Sequence, residues 1–159
     1  MTDAATDAAT GAPMVVVLAP LLSIVVPVMD DAQALQGCLD ALWRCAAPVE
    51  VLVADGGSGD GSRRLALDHP LQPRVLVAGG GRYRQLAAAF AAAHGEYVLC
   101  LPADARLPSG AVPALIAWLA TARPRAGCLR RHAASRAPLH RWLDVWARMR
   151  ASWTGGGYM

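Results

Sequence analysis

Apolar segments of strand length alternate with helical patterns along most of the chain. The run from Leu22 to Val28 is typical of a strand buried on both faces of a sheet. Between Asp31 and Cys45, apolar residues recur at three- and four-residue intervals, which predicts a helix. The alternation favours a doubly wound α/β fold, a mostly parallel sheet with helices on both faces. The predicted strands span residues 22–28, 49–54, 74–78 and 96–101, with a further short strand over 126–131, and the predicted helices span residues 31–45, 63–68, 82–94, 111–122 and 139–153.

Single residues predict where two of these helices begin or end. The carboxylate of Asp30 or Asp31 is expected to cap the first turn of the helix that follows the first strand. Gly95 is expected to close the helix over 82–94 as a C-terminal cap.

The apolar stretch from Met14 to Val28 raises the question of a membrane span or a signal sequence. It is 15 residues long, contains Pro20 and Pro27, and follows an acidic leader. A membrane span needs about 20 apolar residues, and a secretory signal needs positive charge before its core. We therefore predict a buried strand, preceded by a disordered leader over residues 1–13, where the repeat TDAATDAAT is of low complexity.

Composition excludes several classes of protein. Of 159 residues, 55% are hydrophobic and 17% charged, so the chain has ample material for a core. The four cysteines form no CxxC pair and no cluster with histidine at zinc spacing. They are expected to be small buried residues of a reducing compartment, which predicts a cytoplasmic protein.

The basic residues are concentrated after residue 120. Residues 1–120 hold seven Arg and eleven acidic residues, whereas residues 121–159 hold eight Arg and a single acidic residue, Asp144. A nucleic-acid surface usually covers the binding module itself. Because the module predicted here is net acidic, we expect no nucleic-acid partner.

Residue types suited to ligand binding follow all four of the main predicted strands. Asp30 and Asp31 follow the first strand, a glycine-rich segment over 55–62 the second, three glycines with two Arg over 79–84 the third, and Asp104 the fourth. In a doubly wound sheet, ligands bind at this carboxyl edge. Carboxylates hold divalent ions, arginine binds phosphate, and a glycine-rich entry to a helix exposes N–H groups to anions. Each loop alone would be an ordinary turn, but together they predict a site for a phosphorylated ligand and a divalent cation.

Two other nucleotide sites fit the sequence less well. A dinucleotide site needs G-x-G-x-x-G directly after the first strand, where this chain has Met29, Asp30 and Asp31. A Walker A loop needs a lysine, and the chain has none.

Four segments of the chain carry a family resemblance. They read LSIVVPV with two following Asp (22–31), VLVADGGSGDGS (51–62), GRYRQ (81–85) and GEYVLCLPADARLP (95–108). In order and spacing they resemble the family 2 glycosyltransferases, which have the Rossmann-like GT-A fold. The GRxRQ and ADxRLP elements are most similar to a bacterial subgroup associated with arsenosugars or radical-SAM enzymes.

The resemblance implies a glycosyltransferase that moves a sugar from a nucleoside-diphosphate sugar to an acceptor. It implies that Asp104 holds Mg²⁺ or Mn²⁺ at the diphosphate, where the metal stabilises the departing nucleoside diphosphate. It further implies that the donor is bound by Pro27, Asp31, Asp55, Gly57, Arg82 and Arg84.

The chain also departs from the family pattern. Pro102 stands at the first acid of the family's D-x-D element, and Ala87 and Ala89 stand at the family's Asn and Gly. The resemblance predicts that residues 14–122 are the donor-binding domain and that 123–159 are a basic segment that begins an incomplete acceptor half. The catalytic residue is therefore unknown, because the expected base would lie beyond Met159.

The segment after residue 138 has its own pattern. Trp142, Trp146 and Trp153 recur at helical spacing among arginines, which is typical either of a helix at a membrane interface or of one that packs on other parts of the protein. The alternative function is accordingly a catalytically inactive nucleotide-binding module or one that contacts a membrane or a partner. A nucleotidyltransferase of similar fold is a third hypothesis.

Overall fold

The computed structural model describes residues 19–127 and Leu129. The chain divides into two compact units between Ala117 and Trp118, and the first unit contains the sheet. The leader predicted over 1–13 and the helix predicted over 139–153 lie outside the described residues. The elements are β1 (Leu22–Val28), α1 (Ala32–Arg44), β2 (Glu50–Asp55), α2 (Ser62–Asp68), β3 (Arg74–Val77), α3 (Arg82–Ala92), β4 (Tyr97–Cys100) and α4 (Ala111–Ala122).

The four strands form one parallel sheet in the order β3-β2-β1-β4. Right-handed crossovers place α1 and α2 on one face of this sheet, while α3 returns over the other face to reach β4. In agreement, α1 contacts α2, and α3 contacts β1, β2 and β3. The doubly wound α/β fold expected from the sequence is confirmed, and its strand order reverses between β1 and β4.

The core forms on both faces of β1, which is buried at every residue. On the α3 face, Val25 packs in one cluster with Leu52, Ala54 and Ala89. On the α1 face, the buried helix residues are Leu35, Cys38, Leu39 and Leu42, at the spacing that predicted the helix. The unbroken apolar character of β1 therefore follows from its central place in the sheet.

Pro27 lies inside β1 although proline has no backbone N–H to give to a sheet. The Leu101 N–H donates to the Val25 carbonyl at 2.9 Å, so the backbone polar groups of Val25 face β4. Alternate residues of a strand face the same neighbouring strand, so the backbone nitrogen of Pro27 also faces β4. Pairing between β1 and β4 ends at Val25 and Cys100. Pro27 thus removes no bond of the ladder, and the two strands are unpaired at their carboxyl ends.

Gly95 does not cap α3, contrary to the expectation from the sequence. The helix ends at Ala92, and Ala93 follows it in an extended conformation. The Gly95 N–H instead donates to the Ser23 hydroxyl at 2.8 Å. A Cβ on Gly95 would lie 2.5 Å from the Ser23 nitrogen and 2.9 Å from the Leu22 carbonyl carbon. Glycine is needed here because the chain passes against the start of β1.

Three other expectations are settled by the structure. Asp31, rather than Asp30, caps α1: its Oδ1 accepts the Ala34 N–H at 3.1 Å. In the region of the strand expected over 126–131, the described residues 126, 127 and 129 are not in a strand. Of the three described cysteines only Cys38 is buried, whereas Cys100 on β4 is exposed.

Within residues 19–127, no helix has the length and hydropathy required to cross a bilayer.

Glu50 ties together the amino edge of the sheet. Its Oε2 accepts the Ser23 hydroxyl at 2.6 Å and the His94 N–H at 2.8 Å, and its Oε1 accepts Arg74 Nη1 at 2.7 Å. Burial raises the pKa of this carboxyl, but these hydrogen bonds outweigh burial and lower the pKa from 4.5 to about 2. One carboxylate thus links β1, β2, β3 and the residues after α3.

Replacing Gly95 with Ala is expected to lower the free energy of unfolding by about 1–3 kcal/mol, because the new methyl group collides with backbone that cannot move aside. Urea denaturation measures the loss. Gly127→Ala is the control, since among the described residues nothing beyond its chain neighbours lies within 4 Å of a Cβ at that position. Equal stability of the two variants would contradict the close approach.

The Glu50→Gln variant tests the amino-edge network through pH. Because the folded-state pKa is about 2 against an ordinary 4.5, the stabilisation is complete above pH 4.5 and disappears as the pH falls toward 2. The stability difference between wild type and Glu50→Gln, measured by urea denaturation, should therefore shrink between pH 5 and pH 2. Glu96→Gln, at an exposed glutamate outside this network, is the matched control.

Candidate functional site

The loops after β1 and β2 are bonded to each other at the carboxyl edge of the sheet. The Asp30 N–H donates to the Ser58 hydroxyl at 3.0 Å, and the Gly59 N–H donates to Asp30 Oδ1 at 2.7 Å. Asp30 takes a left-handed backbone, φ +50°, to make this turn. Two of the glycine-rich and acidic segments picked out from the sequence therefore form one structure.

Asp55, the last residue of β2, shapes the glycine-rich loop from inside. Its side chain is only 1% exposed, and its Oδ1 accepts the Ser58 N–H at 3.0 Å as well as the Ser58 hydroxyl. Gly57, at φ +98°, is exposed at the turn. A ligand at this edge would thus meet the backbone of a loop whose conformation Asp55 holds.

Asp60 joins the first residues of two helices. Its Oδ2 accepts the Ala32 N–H of α1 at 2.8 Å, and its Oδ1 accepts the Ser62 N–H of α2 at 2.9 Å and the Ser62 hydroxyl at 2.6 Å. The bonds from Ser62 and then from Ala32 lower the pKa of this carboxyl. The sequence placed Asp60 among the loop acids without a role, although the Asp-Gly-Ser spacing is a local signal for such a turn.

Gln85 connects α3 to the ends of β1 and β2. The side chain is buried, and its Nε2 donates to the Val28 carbonyl at 2.9 Å. The same carbonyl accepts the Gly56 N–H at 2.9 Å. A Cβ on Gly56 would lie 3.2 Å from Gln85 Cδ and closer still to its Nε2, so the amide side chain lies directly over this glycine.

The two arginines of the third loop lie in different surroundings, although both are exposed. Arg82 is the first residue of α3. Burial raises the pKa of the Cys100 thiol at the end of β4, and the positive charge of Arg82 opposes that shift. Arg84 instead folds over Gly80, where a Cβ would lie 3.2 Å from Arg84 Nη1. Of the two arginines, Arg82 is the one whose charge acts on the end of β4.

Asp104 lies in a turn after β4, closed by the Ala105 N–H on the Pro102 carbonyl at 2.9 Å. The side chain is exposed, and among the described residues it forms no hydrogen bond or ion pair. The part of the chain that the structure describes contains no group of three or more His, Cys, Asp or Glu suited to a metal ion. One carboxylate fits a hard divalent ion only when the ligand's phosphate oxygens complete the coordination.

The predicted site residues thus fall into distinct positions. Asp31, Asp55 and Gly57 lie together where the β1 and β2 loops meet. Asp104 lies in the turn after β4, and Arg82 begins α3. Pro27 is buried within β1, and Arg84 covers the third loop. Sequence reasoning gave no role to Asp60 and Gln85, which hold the loops in place.

A model of the family described as glycosyl transferase family 2 matches residues 23–155. The chain belongs to glycosyl transferase family 2. Its fold is confirmed by solved GT-A structures. TarS of S. aureus, at 19% identity and TM-score 0.64, covers 73% of this chain and 22% of its own, and this likeness concerns the fold alone.

Two relatives of this family 2 chain are more similar in sequence. The undecaprenyl-phosphate 4-deoxy-4-formamido-L-arabinose transferase of Pectobacterium carotovorum subsp. carotovorum is 27% identical over 119 residues, 69% of this chain and 36% of that protein. The structure of mannosyltransferase PcManGT from Pyrobaculum calidifontis, in complex with GDP-Man and Mn²⁺, is 28% identical with TM-score 0.57 and covers 72% of this chain and 37% of that one. The chain spans little more than a third of the length of these relatives.

Gln85→Leu should destabilise this family 2 chain by about 0.5–1.5 kcal/mol, the net contribution of one hydrogen bond, because the Val28 carbonyl keeps its bond from Gly56. Urea denaturation measures the change. Gln33→Leu, at an exposed position of α1, is the matched control. A loss no larger than the control's would show that Gln85 does not hold the edge.

Proposed function

We propose that this chain binds a nucleoside-diphosphate sugar together with a divalent cation, as the donor half of a glycosyltransferase. One observation carries the proposal: an exposed Asp104 carboxylate, without a partner among the described residues, lies at the end of β4, where the strand order reverses. Open α/β sheets bind their ligands at that place. Family membership and the 28% identical mannosyltransferase, whose structure contains GDP-Man and Mn²⁺, support the same assignment.

The nucleoside would lie over the loops of β1 and β2. Asp31 is exposed at the start of α1, and Gly57 is exposed on the loop that Asp55 holds. Pro27 lies in the end of β1 that is not paired with β4, so its place in the donor site is beside this opening. Arg82 would meet the diphosphate, for which a guanidinium offers several N–H donors in a fixed plane. Arg84 lies over Gly80, so it would act on the donor indirectly, by holding the third loop in place.

Asp104 would hold Mg²⁺ or Mn²⁺ jointly with the diphosphate. When bound, such an ion stabilises the negative charge that develops on the departing nucleoside diphosphate. The described residues contribute one carboxylate, that of Asp104, from the turn after β4. A single acid suffices in this arrangement because the donor supplies the other oxygens.

The acceptor hydroxyl needs a base to take its proton as it attacks the sugar. Most carboxylates at the described edge already hold protein structure: Asp30 bonds Gly59, Asp55 bonds Ser58, and Asp60 bonds the first residues of two helices. Asp104 is reserved for the metal in this proposal. We therefore place the base outside the described residues.

Several finer assignments rest on the sequence alone. The GRxRQ and ADxRLP elements support membership of the subgroup associated with arsenosugars or radical-SAM enzymes. Cytoplasmic location and peripheral membrane contact through Trp142, Trp146 and Trp153 are likewise proposals, and those three residues lie outside the described part of the chain.

Asp104→Asn tests the proposed function. Metal and nucleotide that share one site bind cooperatively, so Mn²⁺ should tighten the binding of a fluorescent GDP or UDP to the wild type by about 5–150-fold. The variant should lose this gain while its binding in EDTA is unchanged. Glu96→Gln, the same loss of charge at an exposed residue before β4, should behave as wild type. Absence of binding of either nucleotide to the wild type would refute the proposal.

A further inference from the structure

Arg106 holds the backbone on both sides of Asp104. Its Nη1 donates to the Ala103 carbonyl and to the Ala105 carbonyl, each at 3.0 Å. These two residues flank Asp104, and Ala105 also closes the turn through its own N–H. Because the guanidinium binds carbonyls and not the carboxylate, it orients the Asp104 residue while leaving its oxygens available.

The guanidinium also contacts α1. A Cβ on Gly37 would lie 2.9 Å from Arg106 Cζ and closer to Nη2, so glycine leaves the space in which the guanidinium lies. Glycine is a poor residue for a helix interior, which makes its presence here costly without such a contact. Burial raises the pKa of the neighbouring Cys38 thiol to about 11, while the charge of Arg106 lowers it and that of Asp104 raises it. Both charges therefore act at this turn of α1.

We propose that Arg106, seated on Gly37, is a positioning residue that orients Asp104 for the metal-bound diphosphate. The inference rests on the proposed function. It adds a connection between the loop after β4 and the loop after β1, since α1, which Arg106 contacts, is capped by Asp31. A carboxylate that the described residues would contribute alone to a shared ion depends on its neighbours for orientation, as metal ligands generally do.

Two variants disturb this arrangement from opposite sides. Arg106→Ala removes the guanidinium. Gly37→Ala displaces it and also strengthens α1, because alanine is the better helix former. The measurements are the thermal midpoint, the binding of fluorescent GDP or UDP in EDTA, the Mn²⁺ concentration that half-saturates nucleotide binding, and hydrogen exchange of the peptide over 101–108.

Both variants are expected to raise the half-saturating Mn²⁺ concentration several-fold and to speed hydrogen exchange over 101–108, with nucleotide binding in EDTA unchanged. Gly37→Ala should do so without lowering the thermal midpoint, an outcome that a merely structural role would not produce. Arg106→Lys should restore part of the Mn²⁺ response, and Arg44→Ala, the same loss of charge at the far end of α1, should resemble wild type. The double variant Gly37→Ala/Arg106→Ala should be no worse than Arg106→Ala.

The outcomes separate the inference from the function on which it rests. A wild type that binds no nucleotide with Mn²⁺ refutes both. Mn²⁺-dependent binding that is the same in wild type, Arg106→Ala and Gly37→Ala overturns the inference alone. Faster hydrogen exchange with an unchanged Mn²⁺ response also overturns it, because Arg106 would then stabilise the turn without serving the metal.

Discussion

The carbonyl oxygen of Val28 joins the three elements on which the candidate site is built. Val28 is the last residue of the central strand. Its carbonyl oxygen accepts hydrogen bonds from the Gly56 N–H, in the loop after β2, and from the Gln85 side-chain amide of α3, each at 2.9 Å. Because one buried carbonyl accepts both hydrogen bonds, both donors are held in place relative to β1. Since β1 is buried on both faces, a shift of one residue in its register would turn its side chains to the wrong faces and move this joint with them.

The carboxylates at the two edges of the sheet have different kinds of partner. At the amino edge, Glu50 is paired with the Arg74 guanidinium, so its negative charge is compensated within the protein. At the carboxyl edge, Asp55 and Asp60 bond only N–H and hydroxyl groups, which orient the carboxylates without neutralising them. Among the described residues, neither of these two carboxylates is paired with a basic side chain, unlike Glu50. In the proposed function, the carboxylate of Asp104 at this edge binds a divalent cation that arrives with the donor.

The elements could be predicted from the sequence because their signals are local. An apolar run identified β1, and a three- and four-residue spacing identified α1, both within a residue or two of the observed bounds. A cap at Asp30 or Asp31 could be predicted for the same reason, and the structure shows that Asp31 is the one. Gln85 and Arg106 could not be given their roles, because each acts through a residue far away in sequence: Gln85 through Val28, and Arg106 through Gly37. Their motifs were visible, but the contacts that explain them exist only in the folded chain.

The glycines show which structural roles the local sequence can predict and which it cannot. In the sequence, a glycine after a strand or a helix predicts a turn or a cap, and for Gly57, at φ +98°, that interpretation is right. Gly37, Gly56 and Gly95 have no such backbone requirement, and in each a Cβ would meet another part of the protein: Arg106, Gln85 and Ser23 respectively. The first two of these contacts hold the loops of the candidate site, and the third fixes the start of β1 against the turn before β4. The absence of a side chain at these three positions is therefore what lets the long-range contacts form.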